Sequence, residues 1–324
     1  MTVAEWLQQG VSALSSGDMS AAEEAFREAV SADPDNANAH NNLGFVLAQK
    51  QSWQQATIHL RTALSINPDS SMAHCNLGQV LIATGDTDAG MQHIDRAVEA
   101  DPDNAIAWDT LSRFRVLAGD FATAEYSAQR AIGLAPRQSS FYVRLGITQA
   151  AQRRFPEAQR QYRTALELNR LNSEAWAQLG ITAFLMNNTG DAIEALNHAL
   201  ELNPADHNAR RHLALARLAQ GDREAAIEHF NYILDQAPSE HGSRLELAVI
   251  YIAQFRNSEA RSELDKLTDD WQSSPRYQFY NALLLKREGR SEQAIEIFSA
   301  LASRKNDYQS KAEKALASEL QTHH

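Results

Sequence analysis

The stretch DPDNANAHNNLG, residues 33–44, holds the two features of this sequence that decide the fold. Its first four residues recur without change at residues 101–104. Directly after them come three asparagines, Asn38, Asn41 and Asn42, although asparagine is a mediocre helix former. The recurrence predicts a repeated structural unit, and the asparagines require a role other than helix formation.

The composition argues against several classes of protein. Of the 324 residues, 44% are hydrophobic and only 7% are aromatic, which favours helices packed closely through small side chains. The formal net charge of −11 argues against a nucleic-acid partner, because such proteins normally carry a basic excess. No apolar run approaches the ~18 residues that a membrane span needs, so we expect no membrane insertion.

The N-terminus and the cysteine content indicate a cytoplasmic protein. Residues 1–18 lack the basic segment and apolar core of a secretory signal. Thr2 and Glu5 instead have the spacing of a capping box at the start of a helix. Cys75 is the single cysteine, so no intrachain disulfide can form, which fits a reducing compartment.

The prolines give the length of the repeated unit. Six of them stand at multiples of 34, with Arg170 in the one vacant place: Pro34, Pro68, Pro102, Pro136, Pro204 and Pro238. Nine blocks of 34 residues follow without insertion or deletion: 3–36, 37–70, 71–104, 105–138, 139–172, 173–206, 207–240, 241–274 and 275–308. A position within a block is called a slot and is numbered from the first residue of the block. Such a period indicates a helical-repeat array.

Certain slots hold the same kind of residue in almost every block. Slots 8 and 20 hold small residues, such as Gly44 and Ala56 in the second block. Slots 7 and 24 hold mostly bulky apolar residues, such as Leu43 and Leu60. Small residues at fixed places on two successive helices let the backbones approach closely, and bulky residues fill the remaining space. Each block therefore predicts a hairpin of two packed helices.

Turn residues mark the ends of these helices. Gly-Asp pairs begin at Gly17, Gly85, Gly119 and Gly221, where glycine can end one helix and aspartate can cap the next. Asn-Pro or Asp-Pro closes the second helix, because the residue before proline is disfavoured in the helical region. The recurring DPDN sequence is therefore the turn between successive repeats.

This pattern resembles the tetratricopeptide repeat, which has an aromatic residue at slot 4, Leu-Gly at slots 7 and 8, alanine at slots 20 and 27, and proline at slot 32. The sixth block matches it with Trp176, Leu179, Gly180, Ala192, Ala199 and Pro204. Departures lie near the end, where slot 4 holds Arg210, Arg244 and Gln278. The resemblance implies an all-α fold: a right-handed α-solenoid, or superhelix, of nine helix-turn-helix hairpins forming a single array over 1–308.

Residues 309–324 are predicted to form a C-terminal capping helix. Ala312, Leu316, Ala317 and Leu320 mark one apolar face, and lysines and glutamates mark the opposite face. A stacked array needs such a half-polar helix to shield its last repeat from water.

The sequence offers no catalytic motif and no metal-binding motif. It contains no phosphate-binding glycine loop, no nucleophile elbow and no paired C-x-x-C. His40 and His74 share slot 4, but helix axes about 8–10 Å apart disfavour a shared ion, so we expect both rings to pack in the core. The terminal His323-His324 pair is too short a tract to indicate a metal site. We expect no enzyme activity, no cofactor and no metal.

The family resemblance also implies which surface binds partners, because first helices of such arrays line an inner, concave wall. Slots 2, 6, 9 and 13 share one face of the first helix. In the second and third blocks this face is rich in side-chain amides: Asn38, Asn42, Asn76 and Gln79. Amides donate and accept hydrogen bonds at once, so we expect them to hold the main chain of an extended peptide.

Further along, the same face becomes cationic. Arg113 and Arg144 lie within one repeat of each other, and Gln178, Arg211 and His212 follow. Over all inner slots, four arginines stand against two glutamates, a formal +2 in a chain of −11. A wall more positive than its surroundings favours a partner segment with acidic character, held by arginine–carboxylate contacts. Cys75 lies at a slot bordering this groove, with no cation near it in sequence that would activate the thiol.

Slot 9 carries an apolar stripe with two interpretations: Ile147, Ile181, Leu215, Val249 and Leu283. It is either a track for a partner helix or the packing between neighbouring first helices. Packing is favoured, because so long an exposed stripe would invite aggregation.

These features predict a non-catalytic protein–protein interaction scaffold or adaptor. Its partner would be a protein that presents an extended or helical peptide of acidic character to the groove. Two alternatives stay open: a self-assembling homo-oligomer, and the recruiting subunit of an enzyme, a secretion complex or a polysaccharide-export complex. Fold alone does not identify the partner.

Overall fold

Helices form all the regular structure in the computed structural model, which describes residues 1–322 and the side chains of residues 1–318. The first ten helices are α1 (Val3–Ser15), α2 (Met19–Ala32), α3 (Ala37–Gln49), α4 (Trp53–Ile66), α5 (Ser71–Ala83), α6 (Thr87–Ala100), α7 (Ala105–Leu117), α8 (Phe121–Leu134), α9 (Ser139–Ala151) and α10 (Phe155–Leu168). The chain continues with α11 (Ser173–Leu185), α12 (Thr189–Leu202), α13 (His207–Ala219), α14 (Arg223–Gln236), α15 (His241–Ala253), α16 (Asn257–Asp265), α17 (Asp269–Gln272), α18 (Pro275–Arg287), α19 (Ser291–Ala302) and α20 (Gln309–Thr322). The all-α class is confirmed, and His323-His324 lies outside the described residues. Among those residues, no helix is both long and apolar enough to cross a bilayer.

The chain forms two compact units, each built from helical hairpins. Unit 1 is Met1–Gln178 and unit 2 begins at Leu179, within α11. In unit 1 each first helix packs on the helix that follows it, from α1 on α2 to α9 on α10. In unit 2 the packed pairs include α13 with α14, α15 with α16 and α18 with α19. Stacked hairpins confirm the α-solenoid class, whereas the single array over 1–308 and its right-handed superhelix stay predictions.

The small residues at slots 8 and 20 lie where two helices of a hairpin nearly touch. A Cβ atom on Gly44 would lie 2.6 Å from Cγ of Leu60. A Cβ atom on Gly78 would lie 2.7 Å from the main-chain oxygen of Gly90. Side-chain carbons do not approach other atoms this closely, so the close helix approach predicted from these slots is confirmed.

The turn between the two helices of a hairpin has left-handed backbone at slot 15. Gly17, Gly85, Gly119 and Gly221 have φ between +77° and +96°. The aspartates that follow them accept hydrogen bonds from N–H groups of the next helix, as predicted. Four hairpins take the same conformation without glycine: Gln51, Arg153, Asn187 and Phe255 have φ of 59–61°. The turn conformation is thus imposed by the hairpin and only eased by glycine.

In the second to the eighth block, the slot-4 side chain makes a hydrogen bond that ties the first helix to the preceding turn. Its partner is the main-chain carbonyl six residues earlier, at slot 32. The pairs are His40–Pro34 (3.0 Å), His74–Pro68 (2.9 Å), Trp108–Pro102 (2.8 Å), Tyr142–Pro136 (3.0 Å), Trp176–Arg170 (3.0 Å), Arg210–Pro204 (2.9 Å) and Arg244–Pro238 (2.6 Å). Arg210 and Arg244 depart from the aromatic pattern and still make the bond. The bond therefore needs a long side chain that ends in an N–H or O–H donor able to reach the slot-32 carbonyl. The aromatic residues histidine, tryptophan and tyrosine supply such a donor, and so does arginine.

The C-terminal part departs from the regular pattern where the slot-32 proline is missing. α16 has only 9 residues, and the short α17 follows it. α20 packs on α19, with Ala312 fully buried and Leu316 and Ala315 against the same apolar cluster. Ala317 is exposed, so its assignment to the packed face was wrong, and the side chain of Leu320 lies outside the described set. Ala315, not Ala317, completes the contact.

We expect Gly78→Ala to destabilise the protein by about 1–3 kcal/mol, because its new methyl group would overlap the backbone of the facing helix. Gly133→Ala is the matched control, since no atom lies within 4 Å of its added Cβ. It should stabilise the protein by about 0.5–1 kcal/mol through helix propensity. Urea unfolding measures both, and equal effects of the two variants would refute the close-approach argument.

Candidate functional site

The first helices of unit 1 form a continuous surface, because α3, α5, α7 and α9 contact one another in order. We call this surface the first-helix face. It contains six of the nine predicted site residues: exposed Asn38, buried Asn76, and half-buried Asn42, Gln79, Arg113 and Arg144. Of the remaining three, half-buried Gln178 lies on α11, and Arg211 and His212 are half-buried residues of α13 in unit 2. The structure therefore brings part of the predicted set together within unit 1.

A cavity of about 460 Å³ opens on the first-helix face between the C-terminal parts of α3, α5 and α7. Its lining combines apolar and aromatic side chains with three predicted site residues: Phe45, Trp53, Val80, Ile82, Phe114, Leu117, Asn76, Gln79 and Arg113. We call it the groove pocket. Apolar walls with a few polar groups are the usual composition of a ligand site.

The asparagines of α3 and α5 form a chain of amide hydrogen bonds across two repeats. Nδ2 of Asn76 donates to Oδ1 of Asn41 at 2.9 Å. Nδ2 of Asn41 donates to Oδ1 of Asn42 at 3.2 Å. Asn36, one turn earlier, caps α3 by accepting from the N–H of Ala39. These amides hold neighbouring elements of the chain together, and the role of Asn42 and Asn76 toward a peptide stays a prediction.

Arg113 is the cation of the groove pocket. Its Nη2 donates to Oε1 of Gln79 at 2.6 Å, and its guanidinium lies 4.6 Å from the ring centre of Phe114. Nε of Arg113 is buried and has no hydrogen-bond partner among the described residues. Burial lowers the pKa of Arg113, and the positive charge of Arg144 adds to this effect. The site thus holds a half-desolvated cation whose direct partner is a neutral amide.

Arg144 differs from Arg113 because it has a carboxylate partner. Its Nε donates to Oδ1 of Asp109 at 3.2 Å. Burial raises the pKa of Asp109, and the charge of Arg144 acts in the opposite direction. Asp109 stands at slot 5, outside the slots used to count the inner charge, so sequence reasoning missed it. Its position beside a core slot on the first helix was the available signal.

The predicted cations of unit 2 are also engaged within the chain. Nη2 of Arg211 lies 3.4 Å from Oδ1 of Asn208, and Nδ1 of His212 lies 2.9 Å from the main-chain oxygen of Asn208. Burial lowers the pKa of His212. Arg276 makes a bidentate interaction with Glu246, in which Nη1 donates to Oε1 at 2.8 Å and Nη2 donates to Oε2 at 2.7 Å. Two of the four inner arginines, Arg144 and Arg276, are therefore paired with carboxylates.

The apolar stripe at slot 9 is partly buried. Leu215 and Val249 pack against one apolar cluster of unit 2, and Leu283 packs against another. Ile147 is half-buried in unit 1. These contacts favour packing over an open track for a partner helix.

Cys75 does not border the groove as an accessible thiol. It is 1% exposed within the apolar cluster of α5 to α7. Burial raises the pKa of the Cys75 thiol to about 12, while a hydrogen bond with Thr110 and the charge of Arg113 act in the opposite direction. A cation is thus present in space although none is near in sequence, and burial outweighs it.

The slot-4 histidines pair with histidines of the second helix, which sequence reasoning did not foresee. Nδ1 of His40 lies 2.9 Å from Nδ1 of His59, and Nδ1 of His74 lies 2.8 Å from Nδ1 of His93. Since Nε2 of His40 and His74 faces a carbonyl oxygen, it carries a proton in each. In the neutral pair the partner ring therefore donates its Nδ1 proton. Among the described residues, no group of three or more ligating side chains could hold a metal ion.

The fold and the stacked first helices define a helical-repeat protein. Two family models described as tetratricopeptide repeat match the sequence, one over residues 7–71, 143–188 and 178–241 and the other over residues 47–113 and 217–283. These matches cover most of the chain, which therefore belongs to the tetratricopeptide repeat family. No curated protein matches the sequence.

Solved structures of other repeat proteins are similar in fold at low sequence identity. A tetratricopeptide repeat protein from Parabacteroides merdae has a TM-score of 0.59 at 16% identity, covering 76% of this chain and 98% of that one. The APC/C hetero-tetramer Cut9-Hcn1 gives 0.66 at 14% identity, covering 86% of this chain and 52% of that one. A human IFIT1 dimer with PPP-AAAA gives 0.65 at 16% identity, covering 89% and 69%. These likenesses concern the fold.

We expect Cys75 in the native protein to react with Ellman's reagent at least about a hundredfold more slowly than in the unfolded chain, because burial and a pKa of about 12 suppress the thiolate. The assay follows absorbance at about pH 8 with and without guanidinium chloride. A Cys75→Ser variant carrying Ser299→Cys supplies an exposed thiol for comparison. Rapid labelling of native Cys75 would contradict the burial.

We expect stability to fall as the pH drops from about 7.5 to about 5.5, because the histidine pairs are stable when neutral. Burial, and then the neighbouring His40 or His74, lowers the pKa of His59 and His93. The unfolded chain, whose histidines titrate near a pKa of about 6.5, therefore binds more protons below that pH. The stabilisation is present above it and is lost on acidification.

The check is urea unfolding at both pH values for the wild type and a double variant, His59→Gln with His93→Gln. The double variant should lose less stability on acidification than the wild type. An identical loss in both proteins would show that the pairs do not set the pH dependence.

Proposed function

We propose that unit 1 binds a segment of a partner protein through the groove pocket. Membership of the tetratricopeptide repeat family supports a non-catalytic interaction scaffold. The observation that carries the proposal is an open cavity of about 460 Å³ with aromatic walls beside a cation that lacks a carboxylate partner. Pockets of about 300–1,000 Å³ enclose a ligand group, and this one fits one or two bulky apolar side chains.

The polar edge of the pocket favours an acidic group on the partner. Arg113 has lost part of its hydration and gains in return the amide oxygen of Gln79 and the ring of Phe114, neither of which carries a negative charge. A carboxylate from a partner would supply the missing charge-assisted hydrogen bond to the part of the guanidinium that lines the pocket. Gln79 and the exposed Asn38 would hold main-chain groups of the same segment. The proposed ligand is thus a peptide that places a bulky apolar side chain next to an acidic residue.

Arg144 is less suited to this role, because Asp109 already neutralises it. Its replacement by glutamate would place two carboxylates together in a half-buried position and so destabilise the fold. A binding test therefore needs variants that change the pocket without touching this ion pair. Ala83 lines the pocket and is exposed, so a larger side chain there can fill the cavity without disturbing the core.

The test begins with selection of random peptides of about 12 residues on the wild-type protein, followed by fluorescence polarisation with the selected peptides. We expect Ala83→Trp to weaken their binding at least about tenfold, because the indole occupies the pocket. Arg113→Gln should weaken peptides that carry an acidic residue by a similar factor. The melting temperatures of both variants should stay close to that of the wild type.

Ala219→Trp is the matched control, because Ala219 is exposed at the same slot of a hairpin in unit 2. It should leave the affinity of the selected peptides within about twofold of the wild type. Peptides that bind wild type and Ala83→Trp equally well would reject the pocket as the binding site.

Self-association is the alternative that the same material can test. Sedimentation velocity over a range of concentrations should show a single species whose mass does not change, if the chain acts as a monomeric peptide binder. A mass that rises with concentration and is unaffected by Ala83→Trp would favour assembly through another surface.

A further inference from the structure

The charge of the chain is divided sharply between neighbouring repeats. Residues 1–104 carry four basic and fourteen acidic residues, a formal −10. Residues 105–172, the fourth and fifth repeats, carry ten arginines and five acidic residues, a formal +5. A block of this sign is unexpected in a chain of −11 and creates a local positive field at the surface of unit 1.

Most acidic residues of the basic block are already engaged. Asp109 pairs with Arg144, and both Glu125 and Glu157 pair with Arg154. Asp120 caps α8. Six arginines of the block are exposed and have no carboxylate partner within the described residues. Two of them are Arg153 and Arg160, and the other four lie between slots 25 and 33 of their repeats: Arg130, Arg137, Arg163 and Arg170. We call these four residues the basic patch.

The basic patch occupies the same end of two neighbouring hairpins. Arg137 stands at slot 33, where the first three repeats have Asp35, Asp69 and Asp103. Arg170 replaces the proline of slot 32 in the next turn. The acidic turn sequence of the first three repeats is thus replaced by a basic one in the next two. These turns all join a second helix to the following first helix, so they lie along one edge of unit 1.

The two helical arginines extend the patch along the second helices. Arg130 in α8 and Arg163 in α10 each precede the turn arginine of their hairpin by seven residues. Seven residues of helix rise about 10 Å, so the two arginines of one hairpin are separated by about that distance along the helix. An extended peptide spans this distance with about three residues. The Arg130 guanidinium lies 5.6 Å from the ring centre of Trp108, which helps to hold it in place.

We propose that the basic patch is a second docking surface, which takes a short acidic segment of a polypeptide. Charges separated by more than the ~8 Å Debye length at physiological salt are screened, so a short segment would experience mainly the four arginines and the exposed Glu167 among them, a formal +3. A nucleic-acid duplex or a membrane surface extends much further and would meet the acidic first three repeats. Leu171, 74% exposed, adjoins Arg170 and offers an apolar contact that suits an acidic peptide containing apolar residues.

The test uses a fluorescein-labelled peptide of about 12 residues made of Glu-Asp-Leu repeats and the full-length protein. At about 50 mM salt the wild type should bind it, and the affinity should fall as salt is raised. Arg137→Asp with Arg170→Glu should weaken binding at least about tenfold. Arg137→Asp restores the Pro-Asp sequence that three other repeats already carry, so the variant is expected to fold.

The matched control is Arg223→Glu with Arg304→Glu, which makes the same type of change at two exposed arginines of unit 2. It should stay within about twofold of the wild type, and Ala83→Trp should as well, because the basic patch lies outside the groove pocket. No binding by the wild type, or an equal loss in the control, would overturn the proposal. Tighter binding of an oligonucleotide of about 20 nucleotides, or of phosphatidylserine vesicles, would also overturn it by favouring a different partner class.

Discussion

The constraint on which the structure depends is the near contact of two helix backbones within each hairpin. It requires that slot 8 of the first helix and slot 20 of the second carry little or no side chain, as the 2.7 Å separation between a Cβ built on Gly78 and the Gly90 carbonyl shows. Close backbones bring the bulky side chains at slots 7 and 24 into the interior. They also leave the opposite face of each first helix free for other contacts.

A second constraint ties successive hairpins together. In the second to the eighth block, the slot-4 donor bonds the carbonyl at slot 32 and so fixes the turn that precedes the first helix. Histidine, tryptophan, tyrosine and arginine all serve, because the bond needs an N–H or O–H at the end of a long side chain. Turn side chains such as Arg137 and Arg170 are not needed for this bond, which uses only the main-chain carbonyl. Their charge can therefore vary between repeats without cost to the fold, and in unit 1 it changes sign.

The surface of the first helices shows how polar groups are divided between holding the fold and remaining available to a partner. The amides of Asn76 and Asn41 bond each other between repeats, and Asn41 also bonds Asn42 within α3. Arg144 is neutralised by Asp109, whereas Arg113 receives only an amide and an aromatic ring. That difference, between two arginines one repeat apart at similar burial, is what distinguishes a structural ion pair from a candidate binding group.

The sequence by itself determined the repeat length, the two helices of each block, their caps and the small-residue contacts. Each of these follows from local preferences repeated at a fixed spacing, so the periodicity is sufficient evidence. It also placed Gln79 and Arg113 on one face of their helices, and both line the groove pocket. Only the tertiary structure decided that Cys75 is buried, that His40 meets His59 and that Asp109 neutralises Arg144. Such pairs depend on side-chain rotamers and on the distance between stacked helices, which no spacing along the chain specifies.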